Sequence, residues 1–265
     1  LSETLILKSL NGAVCTLTLN RPAALNSFTA AMHEALAAEL DAVAADARVR
    51  CLLLTGAGRA FCAGQDLSDP LVSPEVGQPP KDLSVAINRH YKPLVLRLRR
   101  MPVPVVVAVN GVAAGAGANL ALCGDMVLAA RSASFIQAFS KIGLVPDTGG
   151  TWMLPRLVGR ARALALAFLG DKLPAEDAER YGLIWRCVDD EALMDMAQSL
   201  ASRLARMPTK ALVATRLAMD QAQLTALDGA LDAEARLQRE LGVAHDYQEG
   251  VAAFGAKRAP VFTDR

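Results

Sequence analysis

Twice in this chain an unbroken apolar strand runs straight into a loop of glycine and alanine. The first reads CLLLTGAGRAFCAGQDL from Cys51, and the second reads VVVAVNGVAAGAGANLALCGD from Val105. A strand without polar alternation must be covered on both faces, which calls for a sheet packed under helices in a mixed α/β fold. The loops that follow leave their backbone amides bare, so those amides can approach a ligand closely. Neither loop fits a nucleotide. No Gly-Lys-Ser/Thr follows either one, and the small residue a dinucleotide fingerprint requires after GAGAN is Leu120. Two amides from separate loops can instead hold one developing oxyanion.

The rest of the chain fits around that core. LILKSL and VCTLTLN flank Asn11-Gly12, a hairpin signal, and a helix capped by Thr29 carries Met32, Leu36, Leu40 and Val43 on one face. Residues 70–80, PLVSPEVGQPP, read as a surface loop, followed by a helix from about Lys81 to Met101. Beyond residue 150 the pattern is almost wholly helical apart from LIWRCVD, which suggests a core over 1–190 with the site and a helical region over 191–265. With 52% hydrophobic and 21% charged residues the chain holds more apolar matter than a monomer needs, so self-association is expected. Basic residues number 28 against 27 acids, with no block of like charge, so neither nucleic acid nor an anionic membrane is an expected partner. Five scattered cysteines, no uninterrupted apolar run of spanning length and no leader-like pattern in LSETLILKSL point to a cytoplasmic protein.

Asp147 is the one acid between Asp125 and Asp171, set in FSKIGLVPDTGGT. It can be read as the cap of a helix starting near Thr151 or as a base held in an apolar pocket. The residues alone favour the cap. His33, His90 and His245 show no metal-ligand spacing and no partnered nucleophile, so they read as structural and no metal is expected.

Five segments in order, LNRPAALNSFT, GRAFCAGQDL, AVNGVAAGAGANLALCGDMVLAA, FSKIGLVPDTGGT and EGVAAFGAKRAPVF, resemble the crotonase, or enoyl-CoA hydratase/isomerase, superfamily over the whole chain. The resemblance implies an α/β spiral of repeated ββα units with a C-terminal helical trimerisation region, assembled as a homotrimer or dimer of trimers. It implies an acyl-CoA thioester substrate, coenzyme A arriving as part of the substrate and no separate cofactor. It places the two thioester-binding amides on Gln65 and Ala116. Substrate contacts are implied for Leu25, Ala63, Asp66 and Leu67, and for Asn119, Phe139 and Lys257. Arg258 is a second basic tail residue of the kind that meets coenzyme A phosphates. Read from residues, Asp66 and Asp125 are better loop or cap carboxylates, and Asn119 is open between structure and substrate.

Hydratases of this superfamily carry two glutamates, at the positions of Asn119 and Phe139 here. Neither asparagine nor phenylalanine can shuttle a proton near neutral pH. Asp147 matches the aspartate of several isomerases and a dehalogenase of the superfamily, and with that match the catalytic reading overtakes the cap. The resemblance therefore implies an isomerase that converts a ring-epoxide phenylacetyl thioester to its oxepin or shifts enoyl double bonds. A hydratase of β-oxidation and a non-catalytic oligomeric scaffold are the alternatives.

Overall fold

The computed structural model describes residues 4–265. Among the described residues ten strands form two sheets. The first has the order β1-β2-β3-β5-β7-β10 and holds the longer strands, β1 (Ile6–Asn11), β2 (Val14–Leu19), β3 (Cys51–Gly56), β5 (Val105–Val109) and β7 (Met126–Ala130), with the three-residue β10 (Arg186–Val188) at its edge. The second has the order β4-β6-β8-β9 and is built from three-residue strands: β4 (Ala60–Cys62), β6 (Val112–Ala114), β8 (Ser134–Ile136) and β9 (Lys172–Pro174). Each apolar run thus gives one strand to the first sheet, turns at a glycine and gives the next strand to the second sheet before a helix. Repetition of that ββα step makes the expected spiral.

The central strands β3 and β5 of the first sheet are buried along their whole length, as their composition requires, while the edge strand β1 is mostly exposed. The helix α1 (Ala30–Ala45) buries Met32, Leu36, Leu40 and Val43, and the Thr29 hydroxyl accepts from the Met32 amide at 3.3 Å as its cap. Next come α2 (Ser84–Ala86), a π turn at Ile87–Tyr91 and α3 (Lys92–Arg99), one continuous helical path where a single helix is expected. The path is interrupted because Pro93 has no amide to donate and its ring would strike the preceding turn, so the helix widens by a residue. The second half adds α4 (Ala116–Ala121), α5 (Gly150–Leu169), α6 (Ala175–Arg180) and α7 (Leu193–Ala205), and then α8 (Thr209–Ala222), α9 (Leu227–Gly242) and α10 (His245–Gly255).

Two expectations change. β9 lies in a stretch read as helical, and three residues, one of them proline, are too few to carry a strand signal. The division at 190 also shifts, because α7 buries Leu193, Ala197, Ala201 and Ala205 against β2, β3, β5 and β7 and so belongs to the core. The chain continues through α8, whose buried Arg216 bonds to Asp125 and to the Val103 carbonyl, into α9 and α10. Its end is clasped to its own helix: Asp246 accepts the amides of Thr263 and Asp264 at 2.7 and 3.1 Å, and Asp264 returns a cap to the Asp246 amide at 3.0 Å. This clasp and His245 bring potential metal-ligating atoms within 4.8 Å of one another, a grouping absent from the sequence reading because residues 246 and 264 meet only through the folded tail.

Candidate active site

β4, β6 and β8 run parallel in the second sheet, so their C-terminal ends arrive at one edge. Ligands gather at such an edge because loops from neighbouring strands converge there. β4 delivers the Ala63–Asp66 loop, β6 delivers Gly115 and Ala116, and β8 delivers Gln137 and Phe139.

The first two loops touch through glycines. Gly64 holds φ +93°, and a Cβ on it would lie 2.8 Å from the Ala114 carbonyl and 3.3 Å from the Ala116 amide nitrogen. A Cβ on Gly117 would overlap the Cys62 carbonyl. The loops therefore nest only because these side chains are absent. Phe28 bonds to both sides of Gln65, donating to the Gly64 carbonyl at 2.7 Å and accepting from the Asp66 amide at 2.9 Å. In that parallel bridge the Gln65 N–H points away from Phe28. The Ala116 N–H is the first of a helix and has no carbonyl one turn behind it to meet. Neither amide donates a hydrogen bond among the described residues.

Asp147 stands on the third loop. The N-cap of α5 is Gly149, at φ +81°, and no side chain caps that helix, so the cap reading of Asp147 is set aside. Its backbone carbonyl is gripped instead, accepting the Gly150 amide and the Asn119 side-chain amide, both at 2.8 Å. One carboxylate oxygen accepts the Thr148 hydroxyl at 2.7 Å, and Thr148 itself sits in the left-handed region at φ +51°. Burial pushes the Asp147 carboxyl above its usual range, opposed by the Thr148 hydroxyl. A half-buried carboxylate of raised basicity, on a loop tied through Asn119 to the helix that the free Ala116 amide begins, is equipment for moving a proton next to a carbonyl.

The model of the family described as enoyl-CoA hydratase/isomerase matches residues 9–265. The chain belongs to that family. It is 56% identical over 260 residues to a 1,2-epoxyphenylacetyl-CoA isomerase of Escherichia coli, covering 98% of each chain. It is 46% identical over 252 residues, 95% of each chain, to a Rhodobacter capsulatus protein described as a probable enoyl-CoA hydratase. Among solved structures, the enoyl-CoA hydratase of Bacillus anthracis superposes with a TM-score of 0.91 at 30% identity, covering 98% of this chain and 100% of that one.

Within this family fold the expected residues separate into groups. Leu25 and Ala63 meet through an Ala63 amide bond to the Leu25 carbonyl at 2.9 Å, with Leu25 left-handed at φ +50°, and Leu67 projects openly at 60% exposure. Phe139 is buried with its ring 3.9 Å from where a Gly115 Cβ would be, beside the second loop. Three of the expected contact residues have other partners, or none, within the chain. Asn119 has no exposed surface; it donates to the Asp147 carbonyl and accepts from Gln137 at 2.9 Å, and so fixes the Asp147 loop. Asp66 pairs with Arg21 at 3.0 Å and accepts the Ser68 hydroxyl at 2.6 Å and its amide at 3.0 Å, which makes it a loop carboxylate held below its usual range chiefly by Ser68. Lys257 lies past α10 in a left-handed turn at φ +51° and bonds to neither loop of its own chain among the described residues, and Arg258 pairs with Glu249 at 2.6 Å; a coenzyme A contact from either residue stays an expectation for a neighbouring subunit.

Asp125 likewise serves structure, taking Arg216 and the Val105 amide at 2.8 Å each. His33 and His90 are buried and stacked at 5.1 Å, with burial driving His33 down to about 3, while His245 joins the tail clasp. The residues missed in the sequence are Gln137, Thr148 and Tyr91, whose hydroxyl donates to the Gln65 side chain at 2.7 Å. Only Tyr91 left a sign, the proline two positions on that unwinds its helix.

Proposed function

We propose that this protein isomerises acyl-CoA thioesters by moving one proton between two carbons. The carrying observation is a single carboxylate of raised basicity, Asp147, whose loop is tied through Asn119 to the helix that opens at the free Ala116 amide, with the free Gln65 amide on the adjoining loop and no second proton-shuttling acid at 119 or 139. The two amides hydrogen-bond the thioester oxygen, and Asp147 takes a proton from a carbon conjugated with it. The electron pair moves into the thioester as an enolate whose charge the amides hold, and Asp147 returns the proton elsewhere on the same conjugated system. With a ring epoxide the proton leaves the methylene beside the thioester and returns to a ring carbon as the ring opens to the oxepin. The relative of that activity supports this substrate, and an enoyl double-bond shift uses the same two steps. The shuttle requires a base and two donors, and coenzyme A enters as part of the substrate.

The relative described as a hydratase favours hydration as the second reading. Hydration needs a base for water and an acid for carbon, and one aspartate cannot serve as both at once. The test is incubation with ring-epoxide phenylacetyl-CoA, 3-enoyl-CoA and crotonyl-CoA, followed by absorbance and mass. Isomerised products are expected, with crotonyl-CoA hydration at least about a hundredfold slower; comparable rates in one preparation would reject the isomerase reading. Assembly as trimers and residence in the cytoplasm complete the proposal, the first supported by the apolar surface of α8–α10. No described helix is long and apolar enough to cross a membrane.

A further inference from the structure

The Gln65 side chain does not enter the cleft. It folds back on its own loop, where its amide nitrogen donates to the Phe28 carbonyl at 3.0 Å and to the Asp66 carbonyl at 3.1 Å. That leaves its oxygen, Oε1, to accept from the Tyr91 hydroxyl at 2.7 Å. A side chain of this length, tied at three points, fixes the peptide unit that carries the Gln65 N–H. The tyrosine is itself immobile: it is 3% exposed, and His33 meets its ring edge-on at 4.3 Å while Phe28 lies at 6.4 Å. It reaches the loop because the π turn at Ile87–Tyr91 directs both His90 and Tyr91 inward while Arg89 and Lys92 stay exposed. π turns inserted in helices recur at functional sites because they reorient one residue without breaking the helix.

We infer that Tyr91 is a positioning residue for the thioester oxyanion, acting through the Gln65 side chain to hold the Gln65 backbone amide on target. The inference rests on the acyl-thioester reading above. An oxyanion donor acts only when it stands at the place where charge develops, and a preorganised donor costs no rearrangement during reaction. Loosening the clamp therefore weakens the enolate more than the bound substrate, so its effect falls on kcat and spares KM. Replacing Tyr91 by phenylalanine keeps the aromatic packing and deletes the one hydroxyl. It leaves Oε1 of the half-buried Gln65 without its protein donor, which frees the side chain to leave its place.

The experiment compares Tyr91→Phe, Gln65→Ala and the double variant. Tyr91→Phe is expected to lower kcat by about ten- to a hundredfold with KM within about twofold, since one donor is misplaced and not removed. In the Gln65→Ala background the same substitution is expected to do nothing further. Additive losses would show that Tyr91 does not act through Gln65 and would overturn the inference. The second readout is the absorbance of bound cinnamoyl-CoA, whose conjugated band moves to longer wavelength as its thioester oxygen is polarised. The wild type is expected to shift the band and Tyr91→Phe to shift it less. An equal shift in both overturns the tyrosine assignment alone. Binding without any shift in the wild type, or no binding, overturns the acyl-thioester reading and this inference with it.

Discussion

Asp147 takes its character from what surrounds its backbone more than its carboxylate. Asn119 and Gly150 hold its carbonyl, and the following residue is a threonine forced into a left-handed conformation. Such a conformation costs a non-glycine residue about 1–3 kcal/mol and persists where the surroundings impose it. Here it puts the Thr148 hydroxyl on one carboxylate oxygen and leaves the other uncommitted. Of the apolar residues in the stretch that carries it, Phe139 is buried, while Leu144 and Val145 are 41% and 74% exposed and desolvate the acid little. Asp147→Asn keeps the shape and removes the basicity. It is expected to fold and to bind acyl-CoA as before while the isomerase rate falls by roughly two to four orders of magnitude. Near-normal turnover in a folded variant would remove Asp147 from the mechanism. The pH profile carries the same claim. A base works unprotonated, and burial raises this carboxyl, so the rate is fully present at higher pH and is lost on acidification at a midpoint above the usual aspartate range of about 4.

At the scale of elements the decisive contact is glycine against backbone. Gly64→Ala places a methyl group against the Ala114 carbonyl and imposes φ +93° on a residue with a side chain, so the two loops must separate. We expect it to fold, because the contact lies at the edge of the short sheet. Its kcat should drop about a hundred- to a thousandfold, the size of a lost oxyanion donor. Wild-type kinetics in this variant would mean that the loops need not touch. These loops were legible in the sequence because apolar strands and glycine runs announce themselves, and so were the hairpin, α1 and its Thr29 cap. The three-residue strands were not, since β4, β6 and β8 are too short for alternation and are fixed by pairing with one another. Asn119 shows the same limit at the site. Its type and position were plain, but its bond to the Asp147 carbonyl joins residues 28 apart and exists only once α4 and the third loop have packed.

At the scale of the whole molecule the C-terminal helices carry exposed apolar side chains, as Phe168, Leu169 and Trp185 do elsewhere on the surface. α9 is sixteen residues long and buries none of them in its own chain, while Leu227, Tyr247, Val251 and Phe254 stand 76%, 55%, 55% and 87% exposed along α9 and α10. An isolated helix of that length is marginal in water, and most helical stability in proteins comes from packing an apolar face. Another copy of this chain is the simplest cover, since part of the apolar excess noted in the sequence lies here and the family resemblance implies trimers. Sedimentation at micromolar concentration is therefore expected to give a species near three or six times 28.0 kDa. Phe254→Glu puts a charge where the exposed ring would be buried by a partner, and burying an unpaired charge is far more costly than leaving it in water. The variant is expected to disperse toward monomer. If packing between copies is what holds α9, dispersal and loss of helicity in the last sixty residues should occur at the same protein concentration, read by sedimentation and by amide exchange over 209–255. A wild type that sediments as a monomer while α9 stays protected would show that the helix stands on its own chain, and the assembly would have to be given up.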